Sequence, residues 1–99
     1  MDIDLARLAA DFKGRRVVVI GDALLDVYLS GAVGRLCREA PIPIVEIERR
    51  ALVPGGAGNV AVNARTLGAT VTLLGVVGDD REGETLRAAL SDSEVDVSH

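Results

Sequence analysis

Two short runs of consecutive aliphatic residues stand out in the pattern of hydrophobic and polar positions. The first is Val17 to Ile20, and the second lies in ATVTLLGVVG, residues 69–78. Unbroken apolar runs of this length are typical of strands that are covered on both faces, as in parallel sheets. The pattern therefore predicts two buried parallel strands, of which the first is expected to be the central strand of a sheet.

Three other segments repeat their apolar residues at helical spacing. They are Leu5, Leu8, Ala9 and Phe12; Val60, Ala61, Ala64 and Leu67; and Leu86, Ala89 and Leu90. The expected caps and stops are Asp2 or Asp4 and Gly14 for the first helix, Gly68 for the second, and Asp79 or Asp80 for the third. The first helix is expected to pack on the sheet edge. Strand, helix, strand and helix in this order predict an α/β fold with a right-handed crossover, and SEVDVSH begins another strand.

Residues 27–53 follow neither pattern. Short alternating apolar pieces are interrupted by glycines and by Pro41 and Pro43. IPIVEIE, residues 42–48, keeps no single alternation, and prolines confine a strand to the edge of a sheet because they donate no ladder hydrogen bond. This segment is therefore predicted to be a small, partly exposed β excursion.

Composition limits the kind of ligand and location. A net charge of −4 and a pI of about 4.8 argue against binding to nucleic acid or to an anionic membrane. No apolar run approaches the roughly 18 residues of a membrane span, and the acidic start MDID does not resemble a signal peptide. With Cys37 as the only cysteine, a cytoplasmic location is expected. His99, the only histidine, ends the chain, which argues against a histidine-based triad or metal site.

The densest motif is LVPGGAGNVAVN, residues 52–63, with glycines at 55, 56 and 58. It lacks the lysine and serine or threonine of a nucleotide P-loop, and Asn59 has no lone pair that could act as a general base. GAGNVA also matches the dinucleotide-binding fingerprint, but the charged residues before it do not read as a buried strand. A simple turn into a helix and a dinucleotide site remain as alternatives.

A site for a hydroxyl-rich ligand accounts for more of these residues. Gly55 and Gly56 would let a sugar approach the backbone, free N–H groups at the helix start would donate to its oxygens, and Asn59 supplies both a donor and an acceptor. Asp22 and Asp26 follow the first buried strand, where ligands of open α/β sheets bind. They are the candidate acceptors for sugar hydroxyls, although either could also serve only as a turn or cap residue.

These residues resemble the N-terminal part of the PfkB or ribokinase family of carbohydrate kinases. The first family signature is filled without a gap by Gly55, Gly56, Ala57, Gly58, Asn59, Val60, Ala61, Gly68 and Gly78. GDALLD before the excursion and GDDREG at 78–83 follow in the family order. The resemblance covers residues 14–99 and implies a ribokinase-like fold, a Rossmann-like three-layer parallel sheet with a small β lid at 27–53. Residues 1–99 would then be the truncated, N-terminal part of one such domain.

Within this family, the chain is most similar to the heptose 7-phosphate kinase branch of ADP-heptose biosynthesis. A G-D-x-x-L-D-x-Y segment, a segment with Arg35 followed by EAPIP, and PGGAGN occur together as in that branch. Cys37 stands where serine is usual and Arg38 where proline is common. Arg35 is a candidate contact to a substrate phosphate.

The resemblance also implies roles for single residues. Asp26 would hold sugar hydroxyls, with Gly55, Gly56 and Asn59 as the opposite wall of the pocket, and the β lid would form a homodimer contact. Family members use ATP and Mg²⁺ to phosphorylate a sugar hydroxyl. The family's D-T-x-G-A-G-D motif, which carries the catalytic aspartate, does not occur in these 99 residues. The chain alone is therefore expected to bind neither cofactor and to be inactive; a non-catalytic sugar-binding or dimerising remnant is the main alternative, and a dinucleotide-binding module a further one.

Overall fold

A computed structural model describes residues 3–99. Asp2, one of the two proposed caps of the first helix, lies outside the described residues. The elements in chain order are α1 (Leu5–Ala10), β1 (Arg16–Ile20), β2 (Ala23–Leu36), β3 (Pro43–Gly56), α2 (Ala57–Thr66), β4 (Thr70–Leu74) and α3 (Arg81–Asp92). The order confirms the predicted strand, helix, strand and helix, with an antiparallel hairpin inserted after β1.

The two aliphatic runs form the predicted parallel pair. β1 lies beside β4, with Val17 opposite Val71 and Ile20 opposite Leu74. On the other side of β4, Asp96 forms a single parallel bridge to Thr72, so SEVDVSH contributes one bridge beside β4 and not the strand that was expected. Among the described residues β4 therefore has a neighbour on each side and β1 on one, which corrects the expectation that β1 is central.

The hydrophobic core lies on one face of this sheet. It consists of Ala61, Ala64, Ala69, Val71, Leu73, Leu86, Leu90 and Val95, which come from α2, β4, α3 and the segments that flank β4. On the opposite face, Val18 is 59% exposed and Ile20 is 78% exposed. Within residues 3–99 the sheet is thus covered by helices on one face, and the predicted three layers are two.

The helices differ from the sequence pattern in which residues they bury. In α2 the buried residues are Gly58, Ala61 and Ala64, whereas Val60 is 55% exposed. A Cβ at position 58 would lie 3.2 Å from the Cβ of Pro54. The buried face of α2 therefore follows its smallest residues, which allow close packing, rather than its largest ones.

The first helix is shorter than expected and buries nothing. Asp4 caps it by accepting a hydrogen bond from the Arg7 N–H (3.1 Å), and Gly14 follows it with a φ of +78°. The helix ends at Ala10, before Phe12, and none of its residues is buried. Its predicted packing on the sheet edge is therefore absent, and it ends four residues before the expected stop at Gly14, although its cap Asp4 is confirmed.

The β excursion is larger than the sequence indicated. β2 and β3 pair antiparallel from Ala23 opposite Gly56 to Leu36 opposite Pro43, so the hairpin extends past residues 27–53 at both strand bases. The register shifts twice, between Ser30 and Gly31 and between Val33 and Arg35. Each shift is a bulge that interrupts the alternation of side chains, which explains why no single alternation could be found in the sequence.

Core burial makes a testable prediction about stability. Leu90 is 1% exposed, so Leu90→Ala should lower the free energy of unfolding by about 2–5 kcal/mol. The exposed Val60→Ala should change it by less than about 0.5 kcal/mol, because alanine is also the better helix former. Urea unfolding followed by circular dichroism compares the two. Equal midpoints for the two variants would contradict the assignment of the core.

Candidate functional site

The candidate site begins where β3 turns into α2. Gly56 has a φ of +56°, and a Cβ there would lie 2.6 Å from the carbonyl oxygen of Asp22. The same Asp22 oxygen accepts a hydrogen bond from the Ala57 N–H at 2.8 Å. Gly56 is therefore required by the backbone, since a side chain would be strained and would collide with the carbonyl that holds the start of α2.

Asp26 lies directly against Gly55. A Cβ at position 55 would lie 2.5 Å from the Asp26 Cγ and 2.6 Å from its Oδ1, so the carboxylate occupies the space of the missing side chain. Gly55 is buried and Asp26 is half-buried. No hydrogen bond or ion pair within residues 3–99 uses the Asp26 carboxylate, which leaves its oxygens available to a ligand.

The start of α2 brings donors to the same turn. Asn59 is exposed and lies in the first turn of the helix, four positions after Gly55. The N–H groups of Gly58 and Asn59 belong to the first turn, where a helix offers no acceptor of its own. The first turn of α2 thus offers an amide and backbone donors within four residues of Gly55, against which the Asp26 carboxylate lies, and this set of groups suits a ligand with several hydroxyl groups.

The other two sequence-predicted site residues are placed differently. Asp22 precedes β2 and contributes its backbone carbonyl to the turn, while the residue as a whole is exposed. Arg35 lies near the tip of the hairpin, opposite Ile44. It lies nine positions further along β2 than Asp26, or roughly 30 Å at the usual rise per residue. Within one chain the structure does not bring Arg35 to the Asp26 turn.

A cleft lies at the carboxyl ends of β1 and β4, and its lining includes none of the residues Asp26, Gly55, Gly56 and Asn59. It lies between the base of the hairpin and the start of α3 and is lined by Leu24, Leu25, Val77, Asp80, Gly83 and Leu86, among others. Ligands of open α/β sheets bind at this edge. The Asp80 carboxylate is already engaged, because it accepts the Gly83 N–H at 2.8 Å and caps α3.

The GDDREG segment therefore has a structural explanation. Asp80, rather than Asp79, is the cap of α3, and a Cβ at Gly83 would collide with the carbonyl oxygen of Gly78. Spacing alone does not reveal this role, although an acid before a predicted helix is a recognisable capping signal. We conclude that this motif builds the turn that borders the cleft.

The hairpin has two chemically different faces, which the register assigns. The polar face carries Asp26 and its same-face neighbours Tyr28, Ser30, Arg49, Ala51 and Val53. The apolar face carries one charged residue, Arg50, together with seven exposed apolar residues: Val27, Leu29, Val33, Leu36, Val45, Ile47 and Leu52. Sequence reasoning missed this division because the bulges hide it, and only the pairing of β2 with β3 separates the two sets.

Other site types find little support in residues 3–99. No three histidine, cysteine, aspartate or glutamate side chains come together there as a possible metal site. We therefore assign no residue to Mg²⁺ or ATP and derive no step through them. Gly56 follows an antiparallel hairpin strand and not a buried parallel one, which does not fit the dinucleotide fingerprint. None of the helices described has the length and apolar character needed to cross a bilayer.

One proton equilibrium outside the site is shifted. The Ser98 N–H and Oγ donate to Asp96 Oδ1 at 3.0 and 2.6 Å. Both hydrogen bonds lower the pKa of the Asp96 carboxyl, and the bond from the hydroxyl has the larger effect. These bonds order the segment beside β4. They lie away from the turn at Asp26.

Comparison with known proteins gives many relatives that share one name. The chain is 47% identical over 90 residues to the bifunctional protein HldE of Caulobacter sp. (strain K31), covering 91% of this chain and 18% of that protein. It is 52% identical over 80 residues to the bifunctional protein HldE of Gluconobacter oxydans (strain 621H), covering 81% and 17%. The chain thus spans less than a fifth of the length of these two relatives.

Structural comparison and a family model agree with these relatives. A crystal structure assigned as a ribokinase from Agrobacterium tumefaciens superposes with a TM-score of 0.67 at 28% sequence identity, covering 86% of this chain and 27% of that one. The model for the pfkB family carbohydrate kinases matches residues 15–99. This match includes β1, the hairpin, the turn at Gly55 and Gly56, and both core helices, and it shows that the chain belongs to the pfkB family of carbohydrate kinases.

Proposed function

We propose that the chain is the sugar-recognising part of an ATP-dependent carbohydrate kinase whose substrate is heptose 7-phosphate. Membership of the pfkB family supports the class of reaction, and the motifs shared with the heptose kinase branch support the substrate. In this proposal Asp26 accepts hydrogen bonds from sugar hydroxyls. The first turn of α2 and the Asn59 amide complete the polar wall.

The observation that carries the proposal is the contact between Asp26 and Gly55. A carboxylate that is half-buried against a backbone without a side chain is fixed in position before a ligand arrives. Its oxygens have no partner among the described residues, so a ligand hydroxyl does not have to displace one. Preorganised acceptors of this kind hold a substrate in one orientation, which is the protein's main task in phosphoryl transfer.

The chemical step itself lies outside what these residues supply. We propose that the 99 residues alone do not turn over ATP, because the D-T-x-G-A-G-D motif is absent from them. Their part is to bind and orient the sugar. A non-catalytic sugar-binding protein built from the same residues is the second candidate, and the same turn would serve it.

Substitution of Asp26 tests the sugar site. Asp26→Ala should weaken binding of heptose 7-phosphate at least roughly tenfold, because hydrogen bonds to a charged group contribute about 1.5–3 kcal/mol. Glu46→Ala is the matched control, since it removes another hairpin carboxylate that lies far from Gly55. Titration calorimetry measures both affinities. Unchanged affinity in Asp26→Ala, with the wild type binding, would show that the pocket lies elsewhere.

We further propose that the apolar face of the hairpin packs against a second copy of the chain. Its seven side chains are exposed along the ribbon, and a two-stranded ribbon has little stability of its own in water. Apolar surface of this extent, which Arg50 interrupts opposite Leu29, is typical of an interface. A second copy presents an identical stripe, so a twofold arrangement would cover both stripes at once.

Charge on this stripe tests the dimer. Val33→Asp with Val45→Asp should convert the chain from dimer to monomer, because two carboxylates would be buried directly opposite each other on this face. Ala32→Asp lies on the other face of the ribbon and should leave the dimer intact. Sedimentation velocity at matched concentrations distinguishes the two states. A wild-type monomer, or a dimer that survives the double substitution, would contradict the proposal.

A further inference from the structure

The polar face of the hairpin continues beyond the sugar site in an ordered series. Asp26 lies opposite Val53, Tyr28 lies opposite Ala51, and Ser30 lies opposite Arg49. All these positions share one face because directly paired residues of an antiparallel ladder point to the same side and every second residue repeats. A carboxylate, an aromatic ring and a guanidinium therefore follow one another along the ribbon.

Tyr28, the middle residue of this series, is suited to contact with a sugar ring. Tyr28 is the only tyrosine of the chain and is 60% exposed. Its partner across the ladder is an alanine, whose small side chain leaves the space above that rung open. An exposed phenol offers an apolar surface together with a polar tip, which is the combination that sugar rings require.

Arg49, the outer residue of this series, carries a positive charge that forms no ion pair within residues 3–99. No carboxylate oxygen of residues 3–99 lies within 4.0 Å of an Arg49 side-chain nitrogen. The register shift that follows the rung of Ser30 and Arg49 is a bulge, and bulges change the direction of neighbouring side chains. Arginine is the side chain whose fork-shaped donors best match a phosphate group.

Spacing relates this charge to the sugar site. The rung of Ser30 and Arg49 lies four residues from Asp26 along β2, or roughly 13 Å at the usual rise per residue. The flexible arginine side chain can shorten this separation. Asp26 and Arg49 therefore bracket a ligand that has hydroxyl groups at one end and an anion at the other.

We propose that Arg49 binds the phosphate group of the sugar phosphate whose hydroxyls bind Asp26, with Tyr28 against the ring between them. This inference rests on the proposed function and assigns the phosphate to the polar face of the hairpin. It differs from the sequence expectation, which placed Arg35 in that role. Arg35 lies five residues further along β2 than Ser30, past both register shifts.

Two adjacent arginines provide a matched test. Arg49 lies on the polar face, and Arg50, opposite Leu29, lies on the apolar face. Arg49→Ala should weaken binding of heptose 7-phosphate roughly tenfold or more and binding of the unphosphorylated heptose less than about twofold. Arg50→Ala should leave both affinities unchanged. Titration calorimetry with the two sugars measures all four values.

The ring contact is tested with the same sugars. Tyr28→Ala should weaken binding of both sugars to a similar degree, whereas Tyr28→Phe should retain binding because the flat surface remains. Matching unfolding midpoints in urea for the variants would exclude a general loss of structure. Equal weakening by Tyr28→Ala and Tyr28→Phe would contradict the stacking role.

The results separate this inference from the proposed function. In one outcome, sugar binding by the wild type depends on Asp26, but Arg49→Ala still prefers the phosphorylated sugar. Arg49 is then not the phosphate ligand, and the sugar site at Asp26 is retained. If Arg50→Ala removes that preference, the phosphate binds on the other face, in the cleft that Arg50 shares with Arg81, and the inference is overturned. If the wild type binds neither sugar, both proposals fail.

Discussion

The packing of the Asp26 carboxylate on the bare backbone of Gly55 is the constraint on which the rest of the site depends. This contact joins Asp26 of β2 to Gly55 of β3, its diagonal neighbour at the base of the hairpin. The hydrogen bond from Ala57 to Asp22 then ties the same base to α2. A side chain at position 55 or 56 would push the two strands or the helix start away, so the glycines are explained by close approach of other atoms to the backbone.

The same base separates two parts that differ in how well they bury their apolar side chains. On one side, α2, α3 and β4 bury a compact aliphatic core. On the other side, the hairpin and the outer face of β1 leave large apolar side chains exposed. A chain folded in this way exposes more apolar surface than it can cover. A partner on the hairpin would cover this excess.

Much of the fold could be predicted from local signals. The aliphatic runs gave the parallel pair, and the acids before two helical patterns gave two helix starts, for which the structure selects Asp4 and Asp80 from the two candidates at each. What failed depended on distant contacts. The length of the hairpin was hidden by two bulges, and α1 buries none of its residues. Val60 is exposed because α2 packs through smaller residues, which let it come closer.

The candidate site was predictable in part for the same reason. Asp26, Gly55 and Asn59 follow from sequence motifs, and the structure brings Asp26 and Gly55 into contact at a turn that also begins the helix of Asn59. The separation of Arg35 from Asp26 and the two faces of the hairpin depend on strand register. Register is set by pairing across the ladder, which no single stretch of sequence reveals.

The most direct measurement is the sugar affinity of Gly55→Ala against that of Gly34→Ala. A methyl group at position 55 would occupy the place of the Asp26 carboxylate, whereas position 34 has nothing within 4 Å of an added Cβ. Our account predicts that calorimetric titration with heptose 7-phosphate shows at least a roughly tenfold loss for Gly55→Ala and no change for Gly34→Ala. Wild-type affinity in Gly55→Ala would contradict it.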